Sequence, residues 1–333
     1  MRYAVGTTAV CATLGLWAAT AGAQQGQFPL AAPAGVDSKA RQTAPAGAVN
    51  QGPFDMSTWK YGTAFTPPPG AKIWNPAKIK LMSGGKLVGG TVSSGIDPST
   101  YCAMANAGYD FIWMEMQHST MTWGDIADMI AACPRVGVPM IRLPDEFEST
   151  IQKATDIGAV GIIVPTVDTV EKAQAAVKWS KYPPEGRRSQ GNGQYGALWG
   201  SDYRQIANDN MVVVIMIETP IGVANAEKIA SVPGIDVIFA ASTDLGNFSG
   251  TKQGDKEYEA MVTKIHDVTL EHRLALGGPQ AWKDRAERPG FTFFQAPGEP
   301  QLIKLGAQAN LAPSAPQGGR QTGVAATEGA EPR

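Results

Sequence analysis

Between residues 86 and 297 the chain alternates short apolar runs with segments whose apolar positions recur at helical spacing. The runs are KLVGGTVSS (86–94), YDFIWME (109–115), VPMIRL (138–143), VGIIVPT (160–166), MVVVIMIE (211–218), DVIFAAS (236–242), RLALGG (273–278) and FTFFQAP (291–297). Between them lie DIADMIAAC, ESTIQKATDIG, TVEKAQAAVKWS, VANAEKIA and EYEAMVTKIHDVTLEH, which read as helices. Near-continuous apolar runs mark strands buried on both faces, and interleaved helices mark a parallel sheet. Eight such strands over this length predict an α/β fold of the (β/α)8 TIM-barrel type rather than an open doubly wound sheet.

The two ends break this pattern. Residues 24–72 are rich in Gln, Gly, Ala and Pro and read as a linker or surface arm, and residues 312–333 read as a disordered tail. The barrel is therefore expected to span 73–311. The first 23 residues have the layout of a cleaved secretory signal. Arg2 precedes an apolar stretch from Ala4 to Ala19, and Ala21-Gly22-Ala23 supplies the small residues of a cleavage site. Export to the periplasm or beyond is the expectation. Of the three cysteines, Cys11 would leave with that segment. Cys102 and Cys133 remain, on consecutive predicted helices, either bridged or as two buried thiols.

Charge narrows the class of partner. Charged residues are 17% of the chain and the net charge is −2, with no basic block beyond Arg187-Arg188. Nucleic acid is not an expected partner, since binding it needs a basic surplus. The Gly-rich stretch RRSQGNGQYGALWG (187–200) opens no dinucleotide-binding helix and reads as a mobile loop over the barrel mouth.

In such a barrel, chemistry sits at the C-terminal ends of the strands. Those ends carry Glu115 and His118, Arg142, Glu218, and Asp244. Glu218 follows seven apolar residues, so its carboxylate needs either a basic partner or a cation. With Asp244 from the adjacent strand it would suit a hard divalent ion such as Mg²⁺ or Mn²⁺. Arg142 either pairs with Glu218 or holds a substrate carboxylate. His118 beside such a site is a candidate proton carrier.

From Asn75 to Leu311 the chain resembles the HpcH/HpaI aldolase family of the phosphoenolpyruvate/pyruvate TIM-barrel superfamily, which includes 4-hydroxy-2-oxoheptanedioate and 2-dehydro-3-deoxyglucarate aldolases. The matching pieces occur in family order: AGYDFIWMEMQHS, VPMIRLP, KATDIGAVGIIVPTVDTVEKAQAAVKWSKYPPEGRRS and VIMIETPIGVANAEKIASVPGIDVIFAASTDLG. The resemblance implies a class II aldolase that releases pyruvate from a 4-hydroxy-2-oxo acid. It makes Glu218 and Asp244 ligands of Mg²⁺, Mn²⁺ or Co²⁺, and His118 the catalytic histidine, with Asp156 as its hydrogen-bond partner. It gives Arg142 the pyruvate carboxylate and enolate, and the amides around Ser242 and Thr243 the oxo-acid end. A malyl- or citramalyl-CoA-type lyase, or an exported oxo-acid or metal-binding protein without catalysis, are the other readings. The resemblance also implies a homo-oligomer exchanging its last helix (299–311). Glu115, Gln117 and Ala241 depart from the family pattern, which has Asp, Glu and Gly there.

Overall fold

The structure is a computed structural model and describes residues 74–312. The predicted leader (1–23), the arm (24–72) and the tail beyond residue 312 lie outside the described residues.

A short helix α1 (Pro76–Met82) precedes β1 (Leu87–Val92), and α2 (Pro98–Asn106) precedes β2 (Phe111–Glu115). The chain continues through α3 (Trp123–Ala132), β3 (Pro139–Arg142), α4 (Glu148–Asp156), β4 (Gly161–Val164) and α5 (Val170–Ser180). Helices α6 (Tyr195–Trp199) and α7 (Tyr203–Asn210) lead into β5 (Val212–Ile217). Then come α8 (Pro220–Ala224), α9 (Ala226–Ala230), β6 (Val237–Ala240), α10 (Ser242–Ser249) and α11 (Lys256–Glu271). β7 (Ala275–Pro279), β8 (Phe291–Gly298) and α12 (Glu299–Leu311) complete the series. All eight strands pair in parallel and in sequence order, and β8 pairs back to β1 to close the barrel. Each strand overlaps one of the eight apolar runs.

Strand alternation sorts the core into two layers. Inside the barrel lie Leu87, Phe111, Trp113, Met140, Ile163, Val214, Phe239 and Phe293. Between strands and helices lie Ile112, Met114, Ile141, Ile162, Ile215 and Ile238, with Ile126, Ile151, Ala173 and Ile265 from the helices. The interior is filled rather than hollow, as Phe111 stacks on Phe293 at 4.5 Å. Gly89 makes room for that pair: a Cβ there would come within 2.1 Å of the Phe111 ring.

The helices start where capping chemistry places them. Thr122 and Asp125 form a reciprocal capping box at α3, and Asp97 caps α2 ahead of Pro98. Cys102 and Cys133 are bridged, with Cα atoms 5.6 Å apart, tying α2 to the end of α3. At the junction of β8 and β1, the Glu299 carboxylate accepts from the backbone amides of Ser93, Ser94 and Gly95 and from both serine hydroxyls. Burial alone would raise its pKa; the three amides outweigh that and hold it below the ordinary value. This contact pins the turn after β1 to the start of α12.

Candidate active site

The same alternation that fills the barrel delivers its polar rim. On β2, Phe111 and Trp113 point inward, so Glu115 does too; on β3, Met140 points inward and Arg142 follows. Glu115 and Arg142 are register partners across β2 and β3. On β5, Val212, Val214 and Met216 face inward, and Glu218 continues that series just past the strand. The uppermost inward layer of three strands is thus charged, directly above an apolar stack.

Arg142 is the centre of this layer. Its Nη1 lies 3.3 Å from Glu115 Oε2, and its Nη2 lies 3.3 Å from Glu218 Oε1 and 4.0 Å from Asp244 Oδ2. Its Nε is buried with no hydrogen-bond partner, and so is Gln117 Oε1. Glu218 is 1% exposed. Burial raises its pKa above the ordinary carboxylate value; Arg142 and Thr166 oppose that shift and Asp244 adds to it.

Thr166 donates both its backbone N–H and its hydroxyl to Glu218 Oε2. It does so at φ +49, an uncommon conformation for a β-branched residue, at the C-terminal end of β4. A Pro-Thr pair after an apolar run gives no hint of this role. Glu115 has more work than its place on a strand end suggests. It accepts from Trp113 Nε1, from the amides of Gln117 (2.9 Å) and His118 (3.1 Å), and from Arg142. It therefore fixes the turn that carries His118.

His118 itself is exposed at the rim, and no described residue holds its ring. Asp156 is not its partner within this chain. It ends α4, a nine-residue helix that runs about 13 Å back from the mouth toward the N-terminal face. There Asp156 accepts from Gln152 (2.8 Å) and Arg188 (3.4 Å). The Gly-rich stretch 187–200 is also corrected. It connects α5 to β5, so it lies on the N-terminal face rather than over the mouth. It is tied down by Gln194 to Ile157 O, Trp199 Nε1 to Gly158 O and Arg135 Nε to Leu198 O. Ser242 and Thr243 open α10, where no described acceptor takes their first-turn amides; these point an electropositive helix end at the mouth beside Asp244.

A divalent cation fits this donor set. Three carboxylates (Glu115, Glu218, Asp244) converge on one guanidinium, leaving two uncompensated negative charges when all are ionised. Glu115 is engaged by Trp113, Arg142 and the amides of the His118 turn, and Glu218 by Arg142 and Thr166, while Asp244 meets Arg142 at 4.0 Å. No cluster of three His, Cys, Asp or Glu suited to a metal occurs among the described residues. Two carboxylates with open space beside them suit a hard divalent cation.

A family model described as HpcH/HpaI aldolase/citrate lyase matches residues 92–275. A hydroxypyruvate/pyruvate aldolase of Paraburkholderia phytofirmans is 31% identical over 216 residues, covering 61% of this chain and 82% of that protein. A 2-dehydro-3,6-dideoxy-6-sulfogluconate aldolase of Pseudomonas putida is 33% identical over 193 residues, covering 57% and 75%. Among solved structures, an HpcH/HpaI aldolase/citrate lyase family protein from Burkholderia cenocepacia J2315 superposes with a TM-score of 0.64 at 25% identity, covering 71% of this chain and 98% of that one.

Removing the shared guanidinium should strand two buried carboxylates. In the presence of EDTA, Arg142→Met is expected to lose about 3 kcal/mol in urea denaturation. A loss indistinguishable from zero would show that Glu115 and Glu218 do not depend on it.

Proposed function

Because the chain belongs to the HpcH/HpaI aldolase/citrate lyase family, and is thereby a carbon–carbon lyase, we propose that it is a divalent-metal-dependent class II aldolase cleaving a 4-hydroxy-2-oxo acid into pyruvate, or a close 2-oxo acid, and an aldehyde. The observation that carries this is the Glu218–Asp244 pair beside Arg142 at the barrel mouth. Glu218 and Asp244 would hold the ion. Bound there, Mg²⁺, Mn²⁺ or Co²⁺ would supply Lewis-acid stabilisation of the enolate charge that develops when the C–C bond breaks.

The chain's own groups do the rest. Arg142 adds a fixed positive charge in the layer where the negative charge grows. The first-turn amides at Ser242 and Thr243 orient the oxo-acid carboxylate. His118, on the turn that Glu115 fixes, takes the proton of the 4-hydroxyl group as the C3–C4 bond breaks, which frees the aldehyde. It then returns a proton to C3 of the enolate to complete pyruvate. The apolar layer of Trp113, Met216 and Phe239 beneath excludes water from below.

Export to the periplasm or beyond is part of this proposal. The Cys102–Cys133 bridge supports it, since such bridges persist in oxidising compartments. A homo-oligomer is proposed as well, supported by α12, which exposes Ile303, Leu305 and Leu311.

Incubated with pyruvate in D₂O, the protein should exchange the methyl protons in the presence of Mn²⁺ and not with EDTA. Glu218→Gln should abolish the exchange. Pyruvate binding without exchange would instead favour an oxo-acid-binding protein, and exchange undiminished in Glu218→Gln would overturn the ligand assignment. For localisation, material recovered from a periplasmic fraction should begin after Ala23 and contain no titratable thiol. An intact leader in a cytoplasmic fraction would contradict export.

A further inference from the structure

The mouth of the barrel is electrically lopsided. Its charged groups stand on β2, β3, β5 and α10, whereas the arc formed by β7, β8 and β1 borders an open cavity of about 680 Å³ with no charged side chain in its lining. That lining includes Thr91, Ser93, Gln280, Gln295 and Gln301. Thr91 is engaged with Ala296 O, and the Ser93 hydroxyl with Glu299. The amides of Gln280, Gln295 and Gln301 are engaged by no described residue, so three residues with free donor-and-acceptor groups line the cavity.

Resting on the aldolase reading above, we propose that this cavity receives the aldehyde half of the substrate, and that this half is a small neutral hydroxyaldehyde rather than an anionic semialdehyde. Connectivity supports the placement. β1 is the neighbour of β2, whose following turn carries His118, so a chain extending past the 4-hydroxyl group enters the cavity at Thr91 and Ser93. Chemistry supports the class. A hydroxyl both donates and accepts, as a side-chain amide does, so a run of hydroxyls can satisfy all three glutamines.

A carboxylate would find no cation there. Lys283, in the segment after Gln280, pairs with Asp284, which also holds Lys86 at the far end of β1. Next to the lining residues Ser93 and Gly298 lies the buried carboxylate of Glu299, which the Ser93–Gly95 amides favour in its ionised form. Glu218 and Asp244 stand across the mouth. A second carboxylate would stand among like charges, which is unfavourable.

The test is aldol addition by the full-chain protein with Mn²⁺ and pyruvate, comparing D-glyceraldehyde with succinic semialdehyde. The kcat/KM for glyceraldehyde should be larger by about tenfold or more, the range expected when a site hydrogen-bonds hydroxyls. Gln301→Arg, on the exposed start of α12, should narrow that ratio by about tenfold by supplying the missing cation. Equal or better use of the semialdehyde, or a ratio that Gln301→Arg leaves unmoved, would overturn the assignment. Methyl-proton exchange of pyruvate without any aldehyde separates the two readings. If exchange is present, these outcomes judge the cavity alone; if it is absent, the aldolase reading falls and this inference with it.

Discussion

One buried guanidinium, shared among carboxylates from different strands, governs the chemistry of this barrel. Arg142 lies in the top inward layer and spans Glu115 on β2 and Glu218 after β5, with Asp244 at the edge of its reach. Buried ion pairs of this kind seldom add net stability, because desolvation offsets their attraction. Folding is driven instead by the two apolar layers below and around the cluster. The cluster is better understood as a charge imbalance held in place by that packing. Thr166, held at positive φ so that its N–H and hydroxyl reach Glu218, fits the same picture.

Much of this is legible in the sequence. Runs such as MVVVIMIE and VGIIVPT are too uniformly apolar for anything but strands covered on both faces, and their count implies closure. A carboxylate or guanidinium ending such a run must lie where strand and rim meet, which located Glu115, Arg142 and Glu218. What escaped was anything dependent on how far a helix carries the chain. Asp156 and the stretch 187–200 follow helices that lead to the opposite face, and neither composition nor motif reveals on which face a connection emerges. Thr166 and Glu299 escaped for another reason. Their roles are backbone geometries, one a positive φ and the other three convergent amides, that residue types do not encode.

The division of the mouth follows from the same packing. Charged groups end β2 and β3, follow β5 and stand on α10, and β7, β8 and β1 end in amides, hydroxyls and small residues. One arc is suited to an oxo acid and a cation, the other to neutral polar chemistry, and His118 stands between them on the turn that Glu115 anchors. The departures from the family pattern at Glu115 and Gln117 fall on this turn. Glu115 anchors it by accepting from the amides of Gln117 and His118.

Binding of Mn²⁺, followed by electron paramagnetic resonance, tests the charge imbalance most directly because it needs neither substrate nor turnover. The structure predicts saturable binding of a single ion per chain, lost in both Glu218→Gln and Asp244→Asn while circular dichroism shows each variant folded. Absence of saturable binding in the wild type, or binding undiminished in both variants, would contradict it.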